Sequence, residues 1–308
     1  MPPSTSGWNT CLSFFLGAGT ALFITSLPII YYSTGSQYRK RQQNRTLPPH
    51  VKLPYFAPDI PCSLPTPAEI QEAPLLIGQN GYRVVKVGLN MLFAQQATKV
   101  KVPRVYALYN EPESSTNYVV MEYIKGDTLN TQWAYLTHGE KSEIATTLRQ
   151  YFDELRGISS PGDFGSIGKR HLLHGIFWTS QPTPSINGPF NSEAALNEVL
   201  ALKYLAPADT RTTYKADFYR RSLSRVFRGH DPTFSHADFQ RKNIIVGRLP
   251  SDANANTNQY EYPGYWEYSV AMCASRWDDD WDEWVAKILQ SFDAEFPWLR
   301  MVYLELWS

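Results

Sequence analysis

Phe234-Ser235-His236-Ala237-Asp238-Phe239-Gln240-Arg241-Lys242-Asn243-Ile244-Ile245-Val246 is the stretch of this 308-residue chain that decides its reading. An Asp stands five residues before an Asn, a His stands two before the Asp, and an aliphatic run follows. Phosphoryl-transfer loops use that order. The Asp orients the attacking hydroxyl and takes its proton, and the Asn holds a metal ion against the phosphates. Asp238 is therefore the candidate base and Asn243 a candidate metal ligand. Both have to project into one cleft, so a short tight loop between strands is expected. His236 reads as a structural hydrogen-bonding residue rather than as a base.

Upstream, Leu75-Leu76-Ile77 and Tyr82-Arg83-Val84-Val85-Lys86-Val87 read as two strands around Asn80-Gly81, the preferred two-residue hairpin turn. In a kinase-like fold a lysine on such a strand reaches the nucleotide phosphates, which makes Lys86 a cofactor-binding candidate. An exposed lysine on an edge strand is the alternative. A short helix is expected over residues 90–98, and strands over 102–109 and 118–121. The last strand runs into Glu122-Tyr123-Ile124-Lys125-Gly126, which suits a hinge whose backbone at Glu122 and Tyr123 pairs with adenine. A plain strand end followed by a turn is the other reading. Residues 127–157 are helical in pattern, as are 192–205 and 215–227. Trp277, Trp281, Trp284 and Ile288 recur at helical spacing and read as a buried face, with Asp278, Asp279, Asp280, Asp282 and Glu283 as a solvated one.

The amino terminus differs in character. No charged side chain occurs in residues 1–38, and residues 11–32 (CLSFFLGAGTALFITSLPIIYY) are almost wholly apolar or small. About 20 such residues suffice for a membrane-spanning helix. Arg39, Lys40, Arg41 and Arg45 follow, which places the carboxyl-terminal side in the cytoplasm by the positive-inside rule. A cleaved signal peptide lacks its basic start here, and a buried core helix is the remaining rival. The expectation is a single-pass membrane protein with its main domain facing the cytoplasm. Residues 46–74 are rich in proline and read as an extended linker.

Composition is that of a globular chain: Lys plus Arg and Asp plus Glu both count 29, so no bulk field argues for nucleic acid. The 9 Trp and 19 Tyr read as core filling. Cys11, Cys62 and Cys273 are odd in number and far apart, which fits neither a disulfide framework nor a zinc site.

Several segments together resemble fungal aminoglycoside-phosphotransferase-family proteins: Leu53-Pro54-Tyr55-Phe56-Ala57-Pro58, Met121-Glu122-Tyr123-Ile124-Lys125-Gly126, Phe164-Gly165-Ser166-Ile167-Gly168, the loop around Asp238, Tyr265-Trp266-Glu267-Tyr268, and Arg276-Trp277-Asp278-Asp279-Asp280-Trp281. They occur in family order over most of residues 50–308. The resemblance implies an α+β, two-lobed protein-kinase-like fold, with a small antiparallel-sheet lobe and a larger helical lobe. It implies ATP and Mg2+ as cofactors and a small-molecule hydroxyl as acceptor. The expected organisation is a membrane anchor with basic flank (1–45), linker (46–74), small nucleotide-binding lobe (75–123) and large catalytic lobe (124–308).

Two acids of the family pattern are missing. No Asp or Glu lies between Lys86 and Glu111 to hold the lysine. Downstream of Asn243, where the family places a metal-binding Asp after a return strand, no return strand is visible. The acids there are Asp252 and Glu261, of which Glu261 is the better metal candidate. A kinase-fold binding protein without turnover, tethered to a membrane, is therefore the alternative to an active phosphotransferase.

Overall fold

The structure, a computed structural model, describes residues 13–16, 21–22, 53–60, 64, 78–79, 84–111, 116–122, 124, 126–172, 174–179, 181–206, 212–246, 254–255 and 260–307. In chain order the strands are β1 (Ser13–Leu16), β2 (Ala21–Leu22), β3 (Tyr55–Phe56), β4 (Gly78–Gln79), β5 (Val105–Glu111), β6 (Thr116–Met121), β7 (Asp127–Thr128), β8 (Pro232–Ser235), β9 (Ile244–Val246), β10 (Asn254–Ala255) and β11 (Tyr260–Pro263). The helices are α1 (Val84–Ala97), α2 (Leu129–Gln132), α3 (His138–Arg156), α4 (Pro184–Asn187), α5 (Glu193–Leu205), α6 (Thr213–Val226), α7 (Trp266–Ala274), α8 (Trp281–Ile288) and α9 (Phe296–Trp307). The chain forms two units. One is Met1–Ile29, Leu47–Thr147 and Arg241–Asn258; the other is Ile30–Thr46, Leu148–Gln240 and Gln259–Ser308.

The first unit carries a four-stranded antiparallel sheet in the order β1-β6-β5-β3. Helix α1 packs on it: Leu89, Met91 and Leu92 are buried against Val105, Leu108, Val119 and Met121. Each such side chain contributes about 1.5–3 kcal/mol on leaving water. Beside this lies a three-stranded antiparallel sheet, β10-β9-β7. Gly126 is what lets the chain enter β7. A Cβ there would sit 2.5 Å from Ile245 Cγ2 and 2.9 Å from the Val246 carbonyl oxygen.

Four expectations are corrected here. The membrane-spanning helix over residues 11–32 does not form. Ser13–Leu16 is a strand paired antiparallel with β6, Ser13 opposite Met121 and Leu16 opposite Tyr118, and Ala21–Leu22 pairs with β4. Among the described residues no helix is long and apolar enough to cross a membrane. Phe14 and Phe15 favour strand, Gly17 and Gly19 each cost a helix about 1 kcal/mol, and the edge of β6 satisfies the backbone groups that a lone strand leaves open. The membrane contact expected through residues 11–32 rested on that helix and goes with it.

The expected strand over residues 82–87 is the second correction. Val84 to Val87 are the first turn of α1, a 14-residue helix. The Asn80-Gly81 turn lies outside the described residues. Short apolar runs fit a buried helix as well as a strand, and here the run continues into Leu, Met, Ala and Gln, which favour helix.

Third, residues 127–157 are not one helix. β7, α2 and a 3-10 turn at Trp133–Tyr135 precede α3. The break is a capping box: the Thr137 N–H and hydroxyl donate to Glu140 Oε2 at 2.8 and 2.7 Å, and the Glu140 N–H donates to Thr137 Oγ1 at 3.3 Å. Fourth, Trp277 is not on the buried helical face. Its φ is +59° and it is 50% exposed, whereas Trp281, Trp284 and Ile288 on α8 are buried.

The second unit is mainly helical, with the β8–β11 hairpin-like pair at its centre. Phe177, Tyr219, Phe227, Tyr262, Tyr265 and Trp266 are fully buried in its core. Tyr262 stacks on Trp266 with ring centroids 4.6 Å apart, and Phe227 on Tyr265 at 4.5 Å. Aromatic pairs add about 0.5–1.5 kcal/mol each beyond their burial.

Candidate functional site

Strand β8 delivers the chain into the loop. Its last two residues, Phe234 and Ser235, are buried and paired with Glu261 and Tyr260 of β11. The next residues reverse direction through Ala237, whose φ is +62°. A left-handed conformation costs a residue with a Cβ about 1–2 kcal/mol, so something must hold it. Glu267, in the first turn of α7 and 0% exposed, does so: its Oε2 accepts the N–H groups of both His236 and Ala237, the latter at 2.9 Å. Burial pushes the Glu267 carboxyl up to about 7. The Ala237 N–H, the Arg156 guanidinium and the His236 N–H pull it down, and Asp238 pushes it further up.

His236 is 3% exposed and its Nδ1 accepts the Asp238 N–H at 3.0 Å, which leaves the ring proton on Nε2. This is the structural role read from the sequence. Asp238 itself is half-buried, and its Oδ1 accepts from Gln240 Nε2. It also acts electrostatically on Tyr303 of α9, whose hydroxyl is raised by burial first, then by Cys273 and Asp238. Phe239 anchors the loop on the same unit, edge-on to Phe152 at 5.1 Å and against Trp281 at 5.5 Å. Asp238 is thus a carboxylate fixed by the backbone on both sides of it.

The division between the units falls between Gln240 and Arg241, so Asn243 belongs to the other one. Asn243 closes the 3-10 turn Arg241–Asn243 and is half-buried. The Arg241 guanidinium lies over the Trp133 ring, 5.4 Å from its centroid. β9 follows at once and is paired on both edges, with β7 and with β10. The return strand that the sequence did not reveal therefore exists. Asn254 pairs with Ile245 and Ala255 with Ile244, two residues too polar and too few to be read as a strand.

The other candidates stand as follows. Lys86 is in the first turn of α1, not on a strand. Glu122 continues the β5–β6 ladder: its N–H donates to the Arg104 carbonyl at 2.7 Å, and its Oε2 accepts the Arg104 N–H at 3.1 Å. Tyr123 and Asp252 lie outside the described residues. Glu261 sits on β11, 5% exposed, among Ser160, Asp163 and Lys169. Burial and the neighbouring Asp163 push its carboxyl up to about 8, against the hydroxyl of Ser160 and the Lys169 ammonium.

Magnesium keeps several waters and phosphate oxygens and takes one or two protein ligands through hard oxygen atoms. Asn243 fits that requirement with its amide oxygen. Glu261 offers a buried carboxyl beside that of Asp163. Among the described residues no group of three or more His, Cys, Asp or Glu side chains is placed to hold a metal ion. Glu267 is the functional residue that sequence reasoning missed in role. It was visible within Tyr265-Trp266-Glu267-Tyr268, but nothing local ties it to residues 30 positions upstream.

No protein-family model and no curated protein matches the chain. Among solved structures it is similar to a putative fructosamine-3-kinase from Haemophilus somnus 129PT, at 13% identity and a TM-score of 0.46, over 70% of this chain and 68% of that one. It is also similar to a thermostable mutant of the aminoglycoside phosphotransferase APH(4)-Ia in its apo form, at 13% identity and a TM-score of 0.44, over 73% of each chain. At that distance neither protein's chemistry transfers to this one.

Proposed function

We propose that the chain is an ATP-dependent phosphotransferase that phosphorylates a hydroxyl of a small molecule. The observation that carries this reading is Asp238, an acid held in place by the left-handed Ala237, the His236 ring and the buried Glu267 carboxyl. Backbone strain maintained by buried hydrogen bonds is typical of residues kept in position for chemistry. In the proposed step the acceptor oxygen attacks the γ-phosphorus and its proton passes to Asp238. The bond from the γ-phosphorus to the bridging oxygen breaks, and ADP leaves. Asn243 is the residue that would hold a magnesium ion, which neutralises charge on the phosphates when bound. Lys86 is proposed as a phosphate contact, and the backbone at Glu122 and Tyr123 as the adenine contact.

A second reading, a nucleotide-binding protein without turnover, is favoured by the lack of any Asp or Glu between Lys86 and Glu111 to hold the lysine. One experiment separates the two. Melting temperature is measured with ATP, with and without magnesium, on the natural chain and on Asp238→Ala. Ligand binding to the native state raises it by an amount set by concentration over Kd. A magnesium-dependent rise together with ADP release that vanishes in Asp238→Ala supports the transferase. A rise insensitive to magnesium, with no ADP release, supports the binding protein. No rise at all ends both.

A further inference from the structure

Trp133 and Arg241 belong to two chain segments that are also joined elsewhere. β7 pairs with β9, Asp127 opposite Val246 and Thr128 opposite Ile245. β7 leads directly into α2, which Thr128 caps by accepting the Thr131 N–H at 3.2 Å. α2 passes into the turn that begins at Trp133, and the Trp133 ring is 3% exposed. The Arg241 guanidinium, 5.4 Å from that ring, stands at the start of the turn that leads into β9. The two segments thus form a closed ring of contacts. The β7–β9 ladder is one tether and the stacked Arg241–Trp133 pair is the other.

Asn243 lies between the two tethers. Flanks held on both sides fix the backbone of Asn243, and with it the direction in which its Cα–Cβ bond points. The Trp133 ring also has Lys141 Nζ 4.5 Å from its centroid. A buried indole attended by two cations is more than an apolar filler, because the electron-rich face attracts a cation most strongly where water is excluded.

We infer that Arg241, stacked on Trp133, is the positioning residue that fixes the orientation of Asn243. The inference rests on the proposed phosphotransfer for its functional meaning. The tether itself does not depend on that reading. Arg241 touches neither nucleotide nor acceptor in this scheme; it acts through the Arg241–Asn243 turn.

The test uses the full chain and two variants. Arg241→Met keeps an unbranched apolar stem over the ring and removes the charge. Arg241→Lys keeps the charge. Native-state hydrogen exchange is read at the amides of residues 243–246 without any ligand, and binding of Mn2+ with ATP is read by the Mn2+ electron-spin signal. In Arg241→Met, exchange at these amides is expected to accelerate about 2- to 30-fold, the span of a cation–π contact from exposed to desolvated. Mn2+–ATP binding is expected to weaken by a similar factor, and Arg241→Lys to restore most of both. Unchanged exchange in Arg241→Met overturns the tether. Faster exchange in a chain that binds no Mn2+–ATP even with Arg241 in place supports the tether and overturns the phosphotransferase reading instead. Faster exchange with Mn2+–ATP affinity unchanged overturns the assignment of Asn243 as the residue positioned.

Discussion

Glu267→Gln should gain about 3 kcal/mol of stability relative to the natural form between pH 4 and pH 8. The reasoning starts from a carboxyl that is 0% exposed and accepts two backbone N–H groups through one oxygen. Burial raises it from its ordinary 4.5 to about 7. Between those values the folded chain holds a proton that the unfolded chain has lost. Stability therefore falls as pH rises from about 4.5 to 7 and is level above. The rise corresponds to about 3 kcal/mol between the two protonation states. A glutamine oxygen accepts the same two N–H groups without ever carrying the charge. The difference in unfolding free energy, variant minus natural, should grow by about 3 kcal/mol between pH 4 and pH 8. Urea unfolding followed by tryptophan fluorescence at four pH values measures it, and the subtraction removes the titration of all other groups. Glu267→Ala is the control: it orphans two buried donors, each worth about 1–3 kcal/mol, and should cost about 2–6 kcal/mol at pH 5. A variant-minus-natural difference that stays flat within about 1 kcal/mol from pH 5 to 8 would refute the reasoning.

Three further outcomes follow from side chains around the same loop and core. His230 has Nδ1 2.6 Å from Glu193 and Nε2 3.4 Å from Glu295; burial lowers its pKa, but the two carboxylates outweigh burial and raise it. Its stabilisation is complete below the unfolded value of about 6.5 and is lost as pH rises through the folded value, so His230→Gln should cost about 3 kcal/mol at pH 6 and clearly less at pH 9. Ala237→Gly relieves the left-handed strain but loses a buried methyl and gains chain entropy, so its stability should stay within about 1 kcal/mol. Ala237→Val should cost more than about 2 kcal/mol in the same unfolding assay, because a β-branched residue tolerates positive φ least.

How far the sequence could be read depended on whether a signal was local. The capping box Thr137-His138-Gly139-Glu140 is complete within four residues and needed no tertiary partner, yet the helical periodicity around it masked the break. Ser192 before Glu193 and the apolar rhythm of residues 192–205 marked α5 to within a residue. Residues 11–32 misled because hydrophobicity records only the avoidance of water. It does not say whether lipid or a sheet edge takes the segment in. Val84 to Val87 misled for a related reason: four residues are too few for period two and period 3.6 to separate. Trp277 kept the helical spacing of its neighbours but fell before the first turn of α8, in a left-handed conformation no periodicity records.

The order His236, Asp238, Asn243 and the aliphatic run after them is a property of covalent sequence, and it alone marked where chemistry is to be sought. Which groups hold that loop was settled only in three dimensions. Glu267 reaches residues 30 positions away, Trp133 reaches Arg241 across more than a hundred, and Glu261 lies beside Ser160, Asp163 and Lys169, about a hundred positions upstream. The physical reason is that a carboxylate's role depends on what surrounds it after burial. Burial, neighbouring charge and backbone donors are all supplied by the fold, and none is encoded by the spacing of residues along the chain.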